Sequence, residues 1–325
     1  MEYNEHMTFL EFQIGPDDVG RRFDKVLRKF LWDENLSGIY KAIRKGLIKI
    51  NDRKSSADYK LQENDRIKIP DFMAAEKYRF HGINAETESD EKKSIGFETV
   101  FRNEFLWIIN KPFDRCVQGT ENSLDKEIQI EFKQSNRNTS LSFLPGPLHR
   151  LDRRTTGLLA FSQNLEGAKW FSQNIEKHRI TKTYVAIAQG HLSEKESWTD
   201  YIRENETAAT QFKTVSVYKT VQPQSKKAVT HAIPIKYGTF NGKELTLIKY
   251  EIETGRHHQI RSQSSFHGFP LLGDEAYGGS PLEDGMLFLH AQKLDFPENP
   301  LKLPKEIQAP LPPFFSLFLE KHFEK

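Results

Sequence analysis

Residues 146–161 read GPLHRLDRRTTGLLAF. One carboxylate, Asp152, stands among Arg150, Arg153 and Arg154, and the apolar residues Leu158, Leu159, Ala160 and Phe161 follow. Taken alone, an acid among arginines is a salt-bridged surface turn, because exposed ion pairs are common and weak. The other reading is a carboxylate brought to a substrate that is itself negatively charged. Guanidiniums suit that task. They bind carboxylate and phosphate in a planar fork and offset the repulsion between the two. The rest of the chain decides between these readings.

A chain of 325 residues suits two domains, and 37% hydrophobic with 28% charged residues describes a globular protein with a real core. No run approaches the roughly 18 apolar residues of a membrane helix. The start, MEYNEHMTFLEFQIG, is acidic and lacks the pattern of a signal peptide. Cys116 is the single cysteine, which excludes an internal disulfide and a cysteine-based zinc site. The expectation is a soluble cytoplasmic protein with no membrane association. The net charge of +2 hides an asymmetry: Arg21–Ile69 holds 14 Lys and Arg against 7 Asp and Glu, a net of +7, which leaves −5 elsewhere. Concentrated basic charge favours a polyanion such as nucleic acid, although a solvated face with no partner fits the charge alone equally well.

Residues 15–70 read as one module. In GRRFDKVLRKFLW, Phe23, Val26, Leu27, Phe30 and Leu31 share a helical face, opposite Arg21, Arg22, Lys25, Arg28 and Lys29. Ser37 is the expected N-cap of a second helix through GIYKAIRKG, ended by Gly46. LIKINDR predicts a strand and a turn at Asn51-Asp52, and DYKLQENDRIKI a turn at Asn64-Asp65 and a closing strand. The module resembles the S4 RNA-binding domain, through the helix pair, IRKGLIKIND and the late L-x-x-x-D-x-I-x-I closure. That resemblance implies RNA contacts from Arg21, Arg22, Lys25, Lys41, Arg44, Lys45, Lys49 and Arg53.

Residues 71–97 lose periodicity and read as a linker, with NAETESDEKKS at its centre. From 98 to 322 the chain reads as a second domain. FETVFRNEFLWIINKP is strand-like, NLEGAKWFSQNIEKHR is helical, and KTYVAIAQG, QFKTVSVYKT, KAVTHAIPIKYGTF, KELTLIKYEI and MLFLHAQKLDF are strands. Turns such as Asn241-Gly242 indicate mostly antiparallel pairing. A short apolar helix closes the chain. The fold class is α+β, with a mixed, largely antiparallel sheet flanked by helices.

Several chemistries lack their motifs: there is no Walker-type loop, no HExxH and no GxSxG elbow. His257 and His258 are adjacent and on a strand would point to opposite faces, so a shared metal is not expected there. His267 and His290 lack ligand spacing. Four stretches remain: INKPFDRCVQG (109–119), HRLDRRTTGLL (149–159), KTYVAIAQG (182–190) and TGRHHQIRSQSSFHGFPLLGDEAYG (254–278). In this order, behind an S4-like module, they resemble the RluA family of pseudouridine synthases, and among them the RluC-like group that acts on large-subunit ribosomal RNA. The resemblance covers nearly the whole chain.

That resemblance implies isomerisation of uridine to pseudouridine within RNA, most naturally 23S rRNA, without cofactor or metal; separately from it, a monomer is expected. Asp152 would be the essential catalytic residue, adding to base or ribose or abstracting a ribose proton. Tyr184 would stack on the uracil and help remove the C5 proton, and Arg261 would pair with the aspartate. Arg150 would fill the gap left by a flipped nucleotide. His149, Leu151, Thr156, Lys182, Gln259 and Ile260 would complete the RNA-facing set, with Arg256 and His258 positioning RNA and Lys111-Pro112 shaping the site wall. Stacking aromatics and an inserted cation are sound means of offsetting the few kcal/mol that unstacking a base costs.

Some positions depart from the commonest family wording. Thr156 replaces Ser and keeps a hydroxyl for a local backbone bond, Phe113-Asp114 replaces a small pair, and Gln263 and Phe269 stand where His is frequent. None touches Asp152, Tyr184 or Arg261. Three other readings remain at this point: a tRNA-directed synthase, a catalytically inactive ribosome-binding assembly factor, and a metal-dependent RNA hydrolase.

Overall fold

The computed structural model describes residues 8–74, 96–134, 140–205, 214–282 and 285–323. Residues 75–95, the bulk of the expected linker, lie outside the described residues. Two compact units emerge: Met1–Ser94 with Asp125–Gly146 and Ser162–Gly167, and Ile95–Leu124 with Pro147–Phe161 and Ala168–Lys325.

In the first unit, strand β1 (Phe9–Gln13) precedes helices α1 (Phe23–Phe30) and α2 (Leu36–Lys45) and strands β2 (Lys49–Ile50) and β3 (Arg66–Pro70). The strands form an antiparallel sheet in the order β1-β3-β2. The expected helical face is the buried one: Phe23, Val26, Leu27, Phe30 and Leu31 are fully buried. Each such side chain contributes about 1.5–3 kcal/mol relative to leaving it in water. Strand β1 escaped the sequence reading because only Phe12 of its five residues is buried, packed edge-on to Phe30 at 4.9 Å. The cap of α2 also differs from expectation. Asn35, not Ser37, caps it, accepting from the Gly38 N–H at 2.7 Å, while the Ser37 hydroxyl donates to the same Asn35 oxygen. Both are good capping types, and the helix begins one residue before Ser37. Asn51 and Asp52 take positive φ, as their turn requires.

The unit takes in more than residues 15–70. Asp18 is fully buried and accepts from the Ser140 hydroxyl at 2.9 Å, from the Leu141 N–H at 2.7 Å and from the Ser142 hydroxyl. Leu141 joins the same apolar core as Phe12 and Phe30. Sequence periodicity is blind to such an interaction, because its partners lie more than a hundred positions apart.

The second unit is built on a large sheet. Its strands are β4 (Glu98–Arg102), β5 (Leu106–Lys111), β6 (Thr156–Ser162), β7 (Thr181–Gln189), β8 (Glu196–Glu204), β9 (Val215–Tyr218), β10 (Lys226–Phe240), β11 (Lys243–Ile252), β12 (Leu289–Asp295) and β13 (Glu306–Gln308). Their order is β4-β5-β6-β12-β7-β11-β10-β8-β9, with β13 beside β12. Pairing is mostly antiparallel, and β12 runs parallel to β6. Asn241 and Gly242, both at positive φ, turn β10 into β11. Strand β7 is central and buried from Lys182 to Ala188. The helices are α3 (Leu124–Gln134), α4 (Leu165–Glu176), α5 (Gln259–Phe266) and α6 (Pro313–His322), and α3 and α4 begin and end in different units. The C-terminal α6 buries Phe315 against Phe288, ring centres 5.2 Å apart. Among the described residues, no helix is long and apolar enough to cross a membrane.

Strand β6 carries the apolar run of the opening stretch, and its entry explains the glycine there. Gly157 has φ +106°, and a Cβ on it would lie 2.2 Å from the Ala291 carbonyl oxygen of β12. Only glycine allows both that backbone conformation and that approach. Gly157→Ala should cost at least about 2 kcal/mol, read as a lowered urea midpoint, because the strain is compounded by a backbone clash that no rotamer relieves.

Candidate active site

The turn before β6 presents Asp152. Its carbonyl accepts from the Thr155 N–H at 3.1 Å. The turn is held from behind by Lys111, at the end of β5, whose buried amine donates to the carbonyls of Arg153 at 2.7 Å, Thr155 at 2.8 Å and Pro112 at 3.0 Å. Burial, against the opposing charge of Asp152, pushes this amine down to about 7. Carbonyls so capped cannot drift without losing these bonds, so the carboxylate has a fixed origin.

Helix α5 supplies the positive partner. Arg261 Nη1 donates to Asp152 Oδ2 at 3.2 Å, while its Nε and Nη2 grip both oxygens of Asp274 at 2.7 Å each. Asp274 is fully buried, whereas the Asp152 side chain keeps 17% of its surface exposed. The Tyr277 ring lies 5.1 Å from the same guanidinium. Burial disfavours the charged arginine, but the bonds and charge of Asp274, aided by Asp152, raise it well above its ordinary value. His258 faces the other side of the carboxylate, Nε2 to Oδ2 at 3.5 Å. The Tyr277 hydroxyl accepts from the Val215 N–H at 2.9 Å and lies 2.9 Å from His258 Nδ1. That contact fixes the orientation of the ring, with Nε2 toward Asp152. Burial pushes His258 down to about 3 against the pull of Asp152, so the ring is neutral at neutral pH.

Asp152 opens into a cavity of about 470 Å³ whose lining includes Tyr184, Lys182, Arg150, Arg256 and Leu289. That volume falls in the range of pockets for small ligands. Tyr184 and Lys182 share one face of β7, two residues apart. Burial first, then the Asp152 charge, push the Tyr184 phenol up, so it keeps its proton at neutral pH. A preformed phenolate base at C5 does not fit that environment. His149 accepts from the Ala160 N–H at 3.1 Å and stacks on Phe171 at 5.9 Å.

The cavity thus brings together Asp152, Tyr184, Arg261, His149, Arg150, Leu151, Lys182, Arg256, His258, Gln259 and Ile260. Within it Gln259 is buried and spends its amide on Thr254, Val229, Thr230 and the Arg256 N–H. Two expected members are not in the lining. Lys111 is buried behind the Asp152 turn and acts on carbonyls, not on RNA. Thr156 is buried in β6, and its hydroxyl meets His290 Nδ1 at 2.8 Å where a local backbone bond was expected. Both face inward because the strands that carry them are covered. Of the two arginines left open by the sequence, Arg153 makes an exposed pair with Asp114, and Arg154 donates to the carbonyls of Gly273 and Met286.

The strand premise for His257 and His258 is also corrected. They lie in the turn before α5, His258 at φ 52°, with ring centres 4.0 Å apart. With Asp152 they offer donor atoms within 4.8 Å of one another, a set that could hold a divalent ion. The Arg261 guanidinium on the same carboxylate already supplies the positive partner there. Asp274 and Tyr277 went unassigned in the sequence, although both stand in the GDEAYG run, whose flanking glycines mark a tight turn.

Residues 105–266 match the family of RNA pseudouridylate synthases. The chain belongs to that family, and is a pseudouridine synthase that acts on RNA. Its similar proteins include the ribosomal large subunit pseudouridine synthase C of Pasteurella multocida, 27% identical over 310 residues that span 92% of this chain and 90% of that protein. Ribosomal large subunit pseudouridine synthase D of Haemophilus influenzae is 27% identical over 282 residues, 84% of this chain and 78% of that one. In fold, the chain is similar to the solved structure of human RNA Pseudouridylate Synthase Domain Containing 4, with TM-score 0.55 and 20% identity over 69% of this chain and 92% of that chain.

Asp274→Ala leaves the Arg261 charge buried without its bidentate partner. Such a break should cost about 3–5 kcal/mol in chemical unfolding, and single-turnover rates should fall in the fraction that stays folded.

Proposed function

We propose that the protein converts uridine to pseudouridine in large-subunit ribosomal RNA, with Asp152 as its catalytic carboxylate. The observation that carries the reading is Asp152 held between Arg261 and His258 at the wall of a nucleotide-sized cavity. Relatives named for large-subunit synthases match over most of both chains, which favours ribosomal RNA over tRNA. An inactive binding protein would have no use for a buried Arg261–Asp274 clamp behind a carboxylate that opens into a cavity.

On this reading a uridine leaves the stack and enters the cavity. Asp152 adds to the base or ribose, or takes a ribose proton, and the bond from N1 to C1′ breaks. The freed uracil turns, C5 bonds to C1′ as any bond to Asp152 is released, the C5 proton leaves and N1 takes up a proton. Atoms and electrons balance within the nucleotide, so no redox partner is required. Arg261 holds the carboxylate in one orientation through the turn of the base, with the His258 ring beside it at 3.5 Å. Tyr184 offers a flat, protonated ring to stack on the uracil, and Arg150 at the exposed rim takes up the space the base vacated.

The first unit serves as an S4-like tether on RNA. Lys25, Lys41, Arg44, Lys45 and Arg53 stand exposed on it. Arg22 is drawn to Asp24 at 2.9 Å, Arg21 to Ser142, and Lys49 is half-buried. Tethering raises the effective concentration of the catalytic residues on the substrate while leaving the site itself unchanged. The protein acts as a monomer in the cytoplasm.

Asp152→Asn should abolish pseudouridine formation on an unmodified large-subunit rRNA transcript while leaving its binding within a few fold. Retention of activity by this variant would remove Asp152 from the chemistry. Changing Lys41, Arg44 and Lys45 together to Gln should weaken RNA binding and flatten the plot of log affinity against log salt by about 2–3, at roughly 0.7–0.9 for each phosphate that is no longer neutralised.

A further inference from the structure

The cavity holds a cation that the chemistry above does not use. Lys182 is 8% exposed, lies on the cavity wall, and among the described residues has no hydrogen bond and no carboxylate at ion-pair distance. The carboxylates that share the lining are engaged or face outward. Asp152 is held by Arg261, Glu253 is exposed and pairs with His231 at 3.0 Å, and Glu176 is exposed. The charged neighbour Lys182 does have is another cation, Arg256, whose Nε is anchored on the Lys227 carbonyl at 2.9 Å. Gly255 makes room for the amine: a Cβ there would stand 3.2 Å from Lys182 Nζ.

Two like charges facing one cavity, with no carboxylate paired to either among the described residues, form an incomplete arrangement. Burial first, then Arg256, depress the Lys182 amine. The neutral rim of a base, with its carbonyl acceptors, would leave the charge unbalanced. An anion would balance it, and in RNA the anion is the phosphodiester. The spacing agrees. Lys182 sits two residues from Tyr184 on the same face of β7, a step of about 6.7 Å, which places a charge beside the ring at the reach of one sugar.

We propose that Lys182, backed by Arg256, seats a phosphate of the target strand next to the uridine whose base lies on Tyr184. The proposal rests on the synthase reading above and adds to it a fixed backbone anchor inside the catalytic cavity. The seat holds the flipped nucleotide at its backbone while the base is free to turn. This is what the isomerisation needs, since the uracil is detached midway and the ribose must stay. Lys182 is thus a positioning residue that touches phosphate, not the reacting atoms.

The test is the salt dependence of kcat/KM for pseudouridine formation on an unmodified large-subunit rRNA transcript, from low to moderate KCl. For Lys182→Met the slope of log kcat/KM against log salt should be shallower than that of the wild type by about 0.7–0.9, the amount that one neutralised phosphate contributes. The unfolding midpoint should rise, because a buried, unbalanced charge has been replaced by an apolar chain of similar length. A wild-type slope in Lys182→Met, or a lowered midpoint with that slope, would assign the lysine to structure and overturn the seat. If the buried variant does not fold, Arg256→Met at the exposed partner reads the same slope, and no change there overturns the proposal. Failure of the wild-type protein to form pseudouridine on any large-subunit transcript would instead remove the synthase reading, a result independent of the slope.

Discussion

One guanidinium organises the site. Arg261 is shared between two carboxylates that differ in exposure, and the asymmetry gives each its task. Asp274, fully buried, takes two short bonds and fixes the plane of the fork. Asp152 takes the remaining nitrogen through one oxygen and leaves the rest of its surface to the cavity. A buried arginine without Asp274 would carry an uncompensated charge, and an Asp152 without Arg261 would have neither orientation nor a neutralising partner when RNA phosphates approach. The ion pair is therefore a device for aiming a reactive group more than a source of stability.

Aiming also needs a rigid mount. The Asp152 turn is pinned at one end by the amine of Lys111 on three carbonyls, and at the other by strand β6, which approaches β12 so closely that Gly157 has no room for a side chain. Both devices act on backbone, so they fix the origin of the Asp152 side chain without occupying the cavity. Arg154 works in the same manner, tying the turn to the carbonyls of Gly273 and Met286 beside Asp274. Of the arginines around Asp152 in the opening stretch, Arg150 borders the cavity, Arg154 braces the turn and Arg153 rests at the surface with Asp114. Clustered in sequence, they are separated in role by the curvature of a tight turn.

Periodicity was a good guide wherever one face of an element is buried and the other is wet. The face of α1, the hairpin at Asn241-Gly242 and strands β7, β10, β11 and β12 were legible for that reason, whereas β8, whose buried row includes Asp200, was missed. It failed where the signal is weak or the partner remote. Strand β1 buries one residue in five, and the Asp18 bonds to residues 140–142 have no local signature. The same limit explains Thr156 and Lys111. A hydroxyl or an amine in a motif suggests that it touches substrate, but its direction depends on which face of the strand is covered.

By itself the sequence determined the chemical kind of the protein: an Asp in HRLD, a Tyr after Lys in KTY and an Arg in GRHHQIR, in an order that resembles a single family, behind a basic module. These are choices of functional group, and a functional group is written in a single letter. Only the tertiary structure decided geometry and sharing. It showed that Arg261 is divided between Asp152 and Asp274, that the His258 ring stands 3.5 Å from the carboxylate, and that His257 and His258 lie in a turn and not on a strand. It also showed that, among the described residues, Lys182 faces the cavity with no acid at pairing distance. Distances, burial and uncompensated charges arise between residues far apart in the chain, and so become visible only when the sheet has brought them together.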